Sequence, residues 1–231
     1  MIKGDSMTKK DKIPVIKAYF DKVYANADCT LQYRDPFQLL VATQLAAQCT
    51  DARVNLVTPG LFAKFPDVRA FAEADQIEME EAIKSTGFYH NKARNLIACA
   101  QKLLTDFGGV VPQTMEELTS LPGVGRKTAN LLLGDAFGKP AIVVDTHCKR
   151  ICARLGLTKN TDPAKVEADL RKIVPPEIGS DFCHQLVYHG RSRCMARAPK
   201  CTLCDLRDIC DFYKKNTPKN KNKSAVKEPS T

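Results

Sequence analysis

Apolar residues recur along most of the chain at intervals of three and four, the spacing that gathers them on one face of an α-helix. Ile13, Ile16, Phe20, Val23 and Tyr24 form one such stripe, and Leu96, Ala100, Leu103 and Leu104 form another. The pattern predicts a nearly all-α protein. Start signals agree with it: Asp35-Pro36, Phe65-Pro66-Asp67 and Asp162-Pro163 each place an N-cap residue or a proline at a helix entrance. Pro59-Gly60 and Gly108-Gly109 predict breaks. One short run, Ala141 to Val144, suggests a strand, but four residues are too few for pattern to decide. From Lys214 onward apolar residues nearly vanish among Lys, Asn, Pro and Ser. Residues 214–231 are therefore expected to form a disordered basic tail, because they cannot bury enough surface to offset the entropy of ordering.

The chain has 231 residues, 44% of them hydrophobic, enough for the core of one large domain or two small ones. Repeats are absent and glycine and proline are modest, which excludes solenoid and collagen-like folds. No apolar run approaches the roughly 20 residues of a membrane span, and Met1 to Lys10 is polar and charged. A cytoplasmic monomer with no membrane partner is expected, nucleoid-associated if the source is prokaryotic.

The formal charge of +9 points toward a polyanionic partner, and its distribution sharpens the point. The last eighteen residues carry +5 of it. Within the body, Leu121 to Asn160 holds seven basic residues against Asp135 and Asp145, while Asp67 to Thr86 holds six acids against Arg69 and Lys84.

The basic stretch contains the most informative segment. Thr114 and Glu117 have the spacing of a capping box that opens a short helix, Pro122 ends it, and Gly123 and Gly125 allow a tight turn before a second helix begins near Arg126. A hairpin of this kind lets backbone N–H groups approach a phosphate, and a plain helical corner is an equal reading of the same pattern. A P-loop fits less well, since Arg126 rather than glycine precedes Lys127 and no strand comes before the turn.

Leu121-Pro-Gly-Val-Gly-Arg-Lys-Thr-Ala-Asn130, followed by Val144-Asp-Thr-His147, resembles the helix-hairpin-helix signature of the endonuclease III family of DNA glycosylases and abasic-site lyases. The resemblance extends through Leu45 to Asp51, Gly87 to Ala93 and His189-Gly-Arg191 to the last cysteines, covering roughly residues 10 to 213. It implies an all-α fold of two lobes. Residues 29–139 would form a six-helix bundle containing the hairpin, and 1–28 with 140–213 an iron-sulfur lobe built from both termini.

By the same resemblance, Lys127 is the nucleophile and Asp145, eighteen residues on, the catalytic carboxylate. The chemistry explains the residue types. An amine must be neutral to attack C1' of a nucleotide, and the adjacent Arg126, a helix N-terminus and partial burial would favour that form. The resulting Schiff base acidifies the C2' proton and permits β-elimination, which a water nucleophile cannot do. Asp145 would stabilise developing charge on the sugar or assist proton transfer; it is equally placed to cap the helix that starts at Thr146.

The family pattern also implies DNA contacts. Gln48 matches a residue that fills the gap left by an extruded base, and Phe88 lies in a loop that wedges into the opposite strand. Where an aliphatic pair is common in that loop, this chain has Thr86 and Phe88. Tyr89 would stack near the lesion, although core packing is the plainer reading for Phe88 and Tyr89. Asp51 and His147 match positions near the damaged nucleotide, Gly123 and Gly125 belong to the hairpin, and Arg191 and Arg193 offer charge for phosphates.

Cys194, Cys201, Cys204 and Cys210 are spaced C-x6-C-x2-C-x5-C. Four thiolates suit tetrahedral zinc or an iron-sulfur cluster, and spacing alone leaves both open. The resemblance implies a 4Fe-4S cluster. The other six cysteines have no ligand spacing and read as small buried hydrophobes. The expected function is excision of oxidised pyrimidines from duplex DNA with strand cleavage 3' to the abasic site. The alternatives are a pyrimidine-dimer or mismatch glycosylase of the same superfamily, or a non-catalytic DNA-binding iron-sulfur protein.

Overall fold

A computed structural model describes residues 7–216, and among these every regular element is helical. The α-helices are α1 (Lys9–Val23), α2 (Pro36–Leu45), α3 (Asp51–Lys64), α4 (Val68–Ala72), α5 (Gln76–Ile83) and α6 (Tyr89–Phe107). They continue with α7 (Met115–Ser120), α8 (Arg126–Leu131), α9 (Thr146–Leu155), α10 (Pro163–Arg171), α11 (Gly179–Ser192) and α12 (Asp211–Asn216). None is long and apolar enough to cross a membrane.

The start signals act as their chemistry requires. Asp35, Asp67 and Asp162 each sit at the N-cap and accept the backbone N–H three residues on, at 2.9, 2.8 and 3.0 Å. Thr114 caps α7 and pairs with the Glu117 carboxylate at 2.7 Å. Gly108 and Gly109 end α6 with φ of 60° and 83°, and the Gly109 N–H returns to the Leu103 carbonyl at 2.8 Å.

Pro59-Gly60 behaves differently. α3 runs through both residues and ends only at Lys64. The helix lacks one internal hydrogen bond there, yet Val54, Thr58 and Leu61 stay buried on its inner face, so packing outweighs the missing bond.

Two apolar clusters fill the interior. One joins α2 to α8 through Leu39, Leu40, Phe71, Met79, Leu96 and Leu132, among others; the second joins Ile13, Ile16 and Phe20 of α1 to Ile151, Val166, Phe182 and Leu186. Ala141 to Val144 forms no strand. It is a buried link, with Ala141 in the first cluster and Ile142, Val143 and Val144 in the second. The N-terminal helix thus packs with the C-terminal half. α9 and α11 approach closely because of Gly190, where a Cβ would lie 2.3 Å from His147 Nδ1.

After α8 the chain widens into a π-turn, Leu132–Ala136, which turns Asp135 toward α11. Asp135 there accepts from Ser180 Oγ at 2.7 Å and meets His184 Nε2 at 2.9 Å. At the C-terminal end, Lys214, Lys215 and Asn216 complete α12 rather than beginning the expected tail. The remainder of that expectation, 217–231, lies outside the described residues.

Candidate active site

The hairpin is held from beneath. Leu118, Leu121, Val124 and Ala129 are all buried and fix α7, the turn and α8 to the first cluster. Gly123 is required at the turn: its φ is 77°, and a Cβ would lie 2.5 Å from Gln44 Oε1. Gly125 is not required for tightness. Its φ of −96° suits any residue, and a Cβ there would meet nothing within 4 Å.

Arg126 and Lys127 then diverge. Arg126 donates two hydrogen bonds to Glu167 of α10, at 2.7 and 2.9 Å, and Arg171 adds a third at 2.9 Å. Burial of Glu167 works against its charge, but the two guanidinium groups win and hold its carboxyl below the ordinary range. Arg126 is therefore a strut between α8 and α10, with its charge neutralised. Lys127 is exposed rather than partly buried. Neither the burial nor the free neighbouring cation expected from sequence is present at the amine.

Lys127 lines a cleft of about 290 Å³ whose walls come from both halves of the chain. Asp145, Gln48, Asp51 and Arg191 line the same cleft. Asp145 is the N-cap of α9, where Oδ1 accepts the Cys148 N–H at 2.7 Å; its other oxygen makes no hydrogen bond among the described residues. Capping engages only Oδ1, so the N-cap reading leaves the other oxygen available for the catalytic reading. Asp51, first residue of α3, pairs with Arg191 near the end of α11 at 3.3 Å, across 140 positions of sequence.

His147 is the second residue of α9, with Nδ1 3.0 Å from Arg150. Burial lowers its pKa; Asp145 opposes this, and Arg150, Arg191 and Lys127 reinforce it. The imidazole is therefore neutral at physiological pH, beside the cleft rather than in its wall. Arg193 lines the cysteine pocket instead of the cleft.

Phe88 is 63% exposed with φ of 51°, so the core-packing reading fails for it. Gln48 is likewise exposed and has φ of 55°. Thr86 does not share the wedge: it is buried, and its hydroxyl donates to the Ile83 carbonyl at 2.8 Å. Tyr89 is half-buried against the first cluster, as the plainer reading holds, with its ring 4.2 Å from that of His90.

Several cleft residues carry no sequence signal. Asp28, Thr30 and His184 line it, and Asp135 lies behind His184. Burial disfavours the His184 cation, but the hydrogen bond and charge of Asp135 prevail, so its pKa is raised. These partners are 49 residues apart, and no local spacing announces them. Cys29 and Cys49 are half-buried rather than core residues, and Cys29 lines the cleft. Burial beside Asp135 pushes the Cys29 thiol up to about 12, which makes it a poor nucleophile. Cys99, Cys148, Cys152 and Cys183 are buried as expected.

Cys194, Cys201, Cys204 and Cys210 surround one pocket. Arg154 braces the loop by donating to the carbonyls of Met195 and Ala196 at 2.7 and 3.0 Å and to Cys194 Sγ at 3.3 Å. Among the described residues, no three His, Cys, Asp or Glu side chains converge as ligands of one ion. Thiols spread around a shared pocket suit a multi-atom cluster better than a single tetrahedral ion, and Arg154, Arg193, Lys200 and Arg207, which line the same pocket, would complement the negative charge of such a group.

Comparison with known proteins gives a consistent picture. Residues 41–176 match the model of the HhH-GPD superfamily base excision DNA repair proteins. An endonuclease III from Synechocystis sp. is 51% identical over 204 residues, spanning 88% of this chain and 93% of the relative. An endonuclease III solved as a trapped covalent intermediate with DNA superposes with a TM-score of 0.85 at 42% identity, over 90% of this chain and 99% of the other. A thermostable thymine-DNA glycosylase superposes with a TM-score of 0.81 at 25% identity, over 90% and 97%.

Proposed function

Because the chain belongs to the HhH-GPD superfamily of base excision DNA repair proteins, and within it to the endonuclease III family, we propose that Lys127 and Asp145 are its catalytic pair. The protein is a base excision repair DNA glycosylase and abasic-site lyase. The substrate we assign is an oxidised pyrimidine in duplex DNA, lying across the cleft between the lobes formed by 29–139 and by 1–28 with 140–213.

The observation that carries the reading is the meeting of Lys127 and Asp145 in one cleft. With the base extruded there, Lys127 Nζ bonds to C1' as the glycosidic bond breaks and its electron pair leaves with the base. The Asp145 carboxylate stabilises the cationic sugar. The C1'–O4' bond then opens, with the amine proton passing to O4', to give the Schiff base; water or the released base takes the C2' proton, and the C3'–O bond breaks with its electron pair leaving on the 3' phosphate. Lys127 is exposed in the free protein, so desolvation of the amine falls to the DNA that covers the cleft. Gln48 and Phe88 enter the duplex around the lesion, Asp51 and His147 stand near the damaged nucleotide, and Arg191, Arg193 and the Gly123 and Gly125 backbone offer donors to phosphates, while Tyr89, packed against the first cluster, supports the Phe88 loop from behind.

Cys194, Cys201, Cys204 and Cys210 would hold a 4Fe-4S cluster, which supplies cross-links that order the C-terminal loop. The lysine mechanism transfers no electrons, so its role here is structural.

Borohydride reduction during incubation with an abasic-site duplex tests the reading. Wild type should form a covalent complex and Lys127→Ala none. A wild type that binds this duplex without trapping would sink the lyase reading, and one that in addition releases no base from any duplex of the panel below would establish the non-catalytic alternative. The likeness to a thymine-DNA glycosylase supports one second reading, mismatched thymine as substrate. A panel of oxidised pyrimidines, G·T pairs and pyrimidine dimers separates the substrates.

A further inference from the structure

Lys92, near the start of α6, is only 6% exposed, a rare setting for an ammonium group. It has no carboxylate partner among the described residues. Its Nζ instead donates to two main-chain carbonyls, Leu45 at 2.8 Å and Thr86 at 2.9 Å. Burial lowers its pKa, and the nearby Cys49 side chain pushes the other way.

The two carbonyls lie at the bases of different loops. Leu45 ends α2, three residues before Gln48, and Thr86 stands two residues before Phe88. Gln48 and Phe88 are two of the three non-glycine residues with positive φ among the described residues, at 55° and 51°. Side-chain-bearing residues disfavour that region and persist in it only when their surroundings hold them. Lys92 touches the base of both loops, and a cation with several donors is the side chain able to satisfy both carbonyls at once.

We propose that Lys92 is a positioning residue that ties the Gln48 loop to the Phe88 loop, so that both enter a duplex as one unit. The proposal rests on reading those loops as the ones that enter DNA. The plain alternative is a buried stem that merely fills space. Lys92→Met preserves that stem and removes the donors, whereas Lys92→Arg preserves the donors.

The test is a double-substitution cycle on the full-length, cluster-loaded protein, with affinity measured for a duplex bearing one tetrahydrofuran abasic analogue. In an otherwise wild-type chain, Gln48→Ala and Phe88→Ala should each weaken binding. Their combined effect should depart from the product of the two by at least about threefold. In the Lys92→Met background the product rule should hold, and Lys92→Arg should restore the departure. Equal departures with Lys92 and with Met would overturn the tie. So would a product rule in the wild-type chain, whether or not Lys92→Met folds. If neither loop substitution weakens binding, the reading of the loops is wrong and the proposal falls with it; trapping by Lys127 would still stand on its own.

Discussion

The hairpin and the cysteine loop both border the surface assigned to DNA, yet they are held by opposite means. The hairpin rests on Leu118, Leu121, Val124 and Ala129, all buried, with Arg126 adding a strut to Glu167. In the cysteine loop, residues 193–210, Leu206 is the only residue counted in the buried core. Short 3-10 turns, the Arg150 and Arg154 guanidinium groups and partly buried contacts such as Ile209 hold the rest. An apolar base fixes the hairpin in the free protein, while the loop depends on polar clamps and on whatever its four thiols bind. Catalytic placement at Lys127 should therefore be insensitive to conditions that dismantle the loop.

Removing the proposed 4Fe-4S cluster should have the largest effect. Chelation or Cys204→Ala is expected to abolish amide-exchange protection across 194–210 while protection in α7 and α8 persists. Simultaneous loss in both regions would break the contrast. Next, Leu118→Ala should cost about 2–5 kcal/mol by opening a cavity under the hairpin, read from denaturant unfolding, with the loop's exchange unaffected. A smaller effect is expected from Arg154→Met, which leaves loop carbonyls without donors and should cost roughly 1–3 kcal/mol; faster cluster loss with an unchanged trapping rate is the expected pair of readings.

The smallest effect belongs to the contact between the halves. His184 faces Asp135, with Asp28 and Asp181 adding to the raised pKa against the opposing burial. A raised value means the folded state holds the proton more tightly. The contribution is thus complete below the ordinary imidazole value of 6.5 and is lost as pH rises through the higher folded value. Asp135→Asn should flatten that part of the stability profile.

Much of this contrast was legible in the sequence where the signal was local. Asp35, Asp67, Asp162 and Thr114 marked helix starts because a cap acts within three residues. The family motifs gathered Gln48, Asp51, Lys127, Asp145 and Arg191 around one cleft. Local rules failed where packing decides. Pro59 sits inside a helix whose inner face is buried, and Thr86 points inward although its neighbours face solvent. Arg126 is claimed by Glu167 from 41 residues away. Lys92, Asp135 and His184 act through long-range contacts that no spacing encodes.

The central claim is that Lys127, on the apolar-based hairpin, is the group that bonds to DNA. Peptide mass spectrometry of the borohydride-reduced complex tests it most directly. The account predicts one sugar-phosphate adduct, on Lys127 Nζ. An adduct confined to Lys149, to the α-amino group or to any other amine would contradict it.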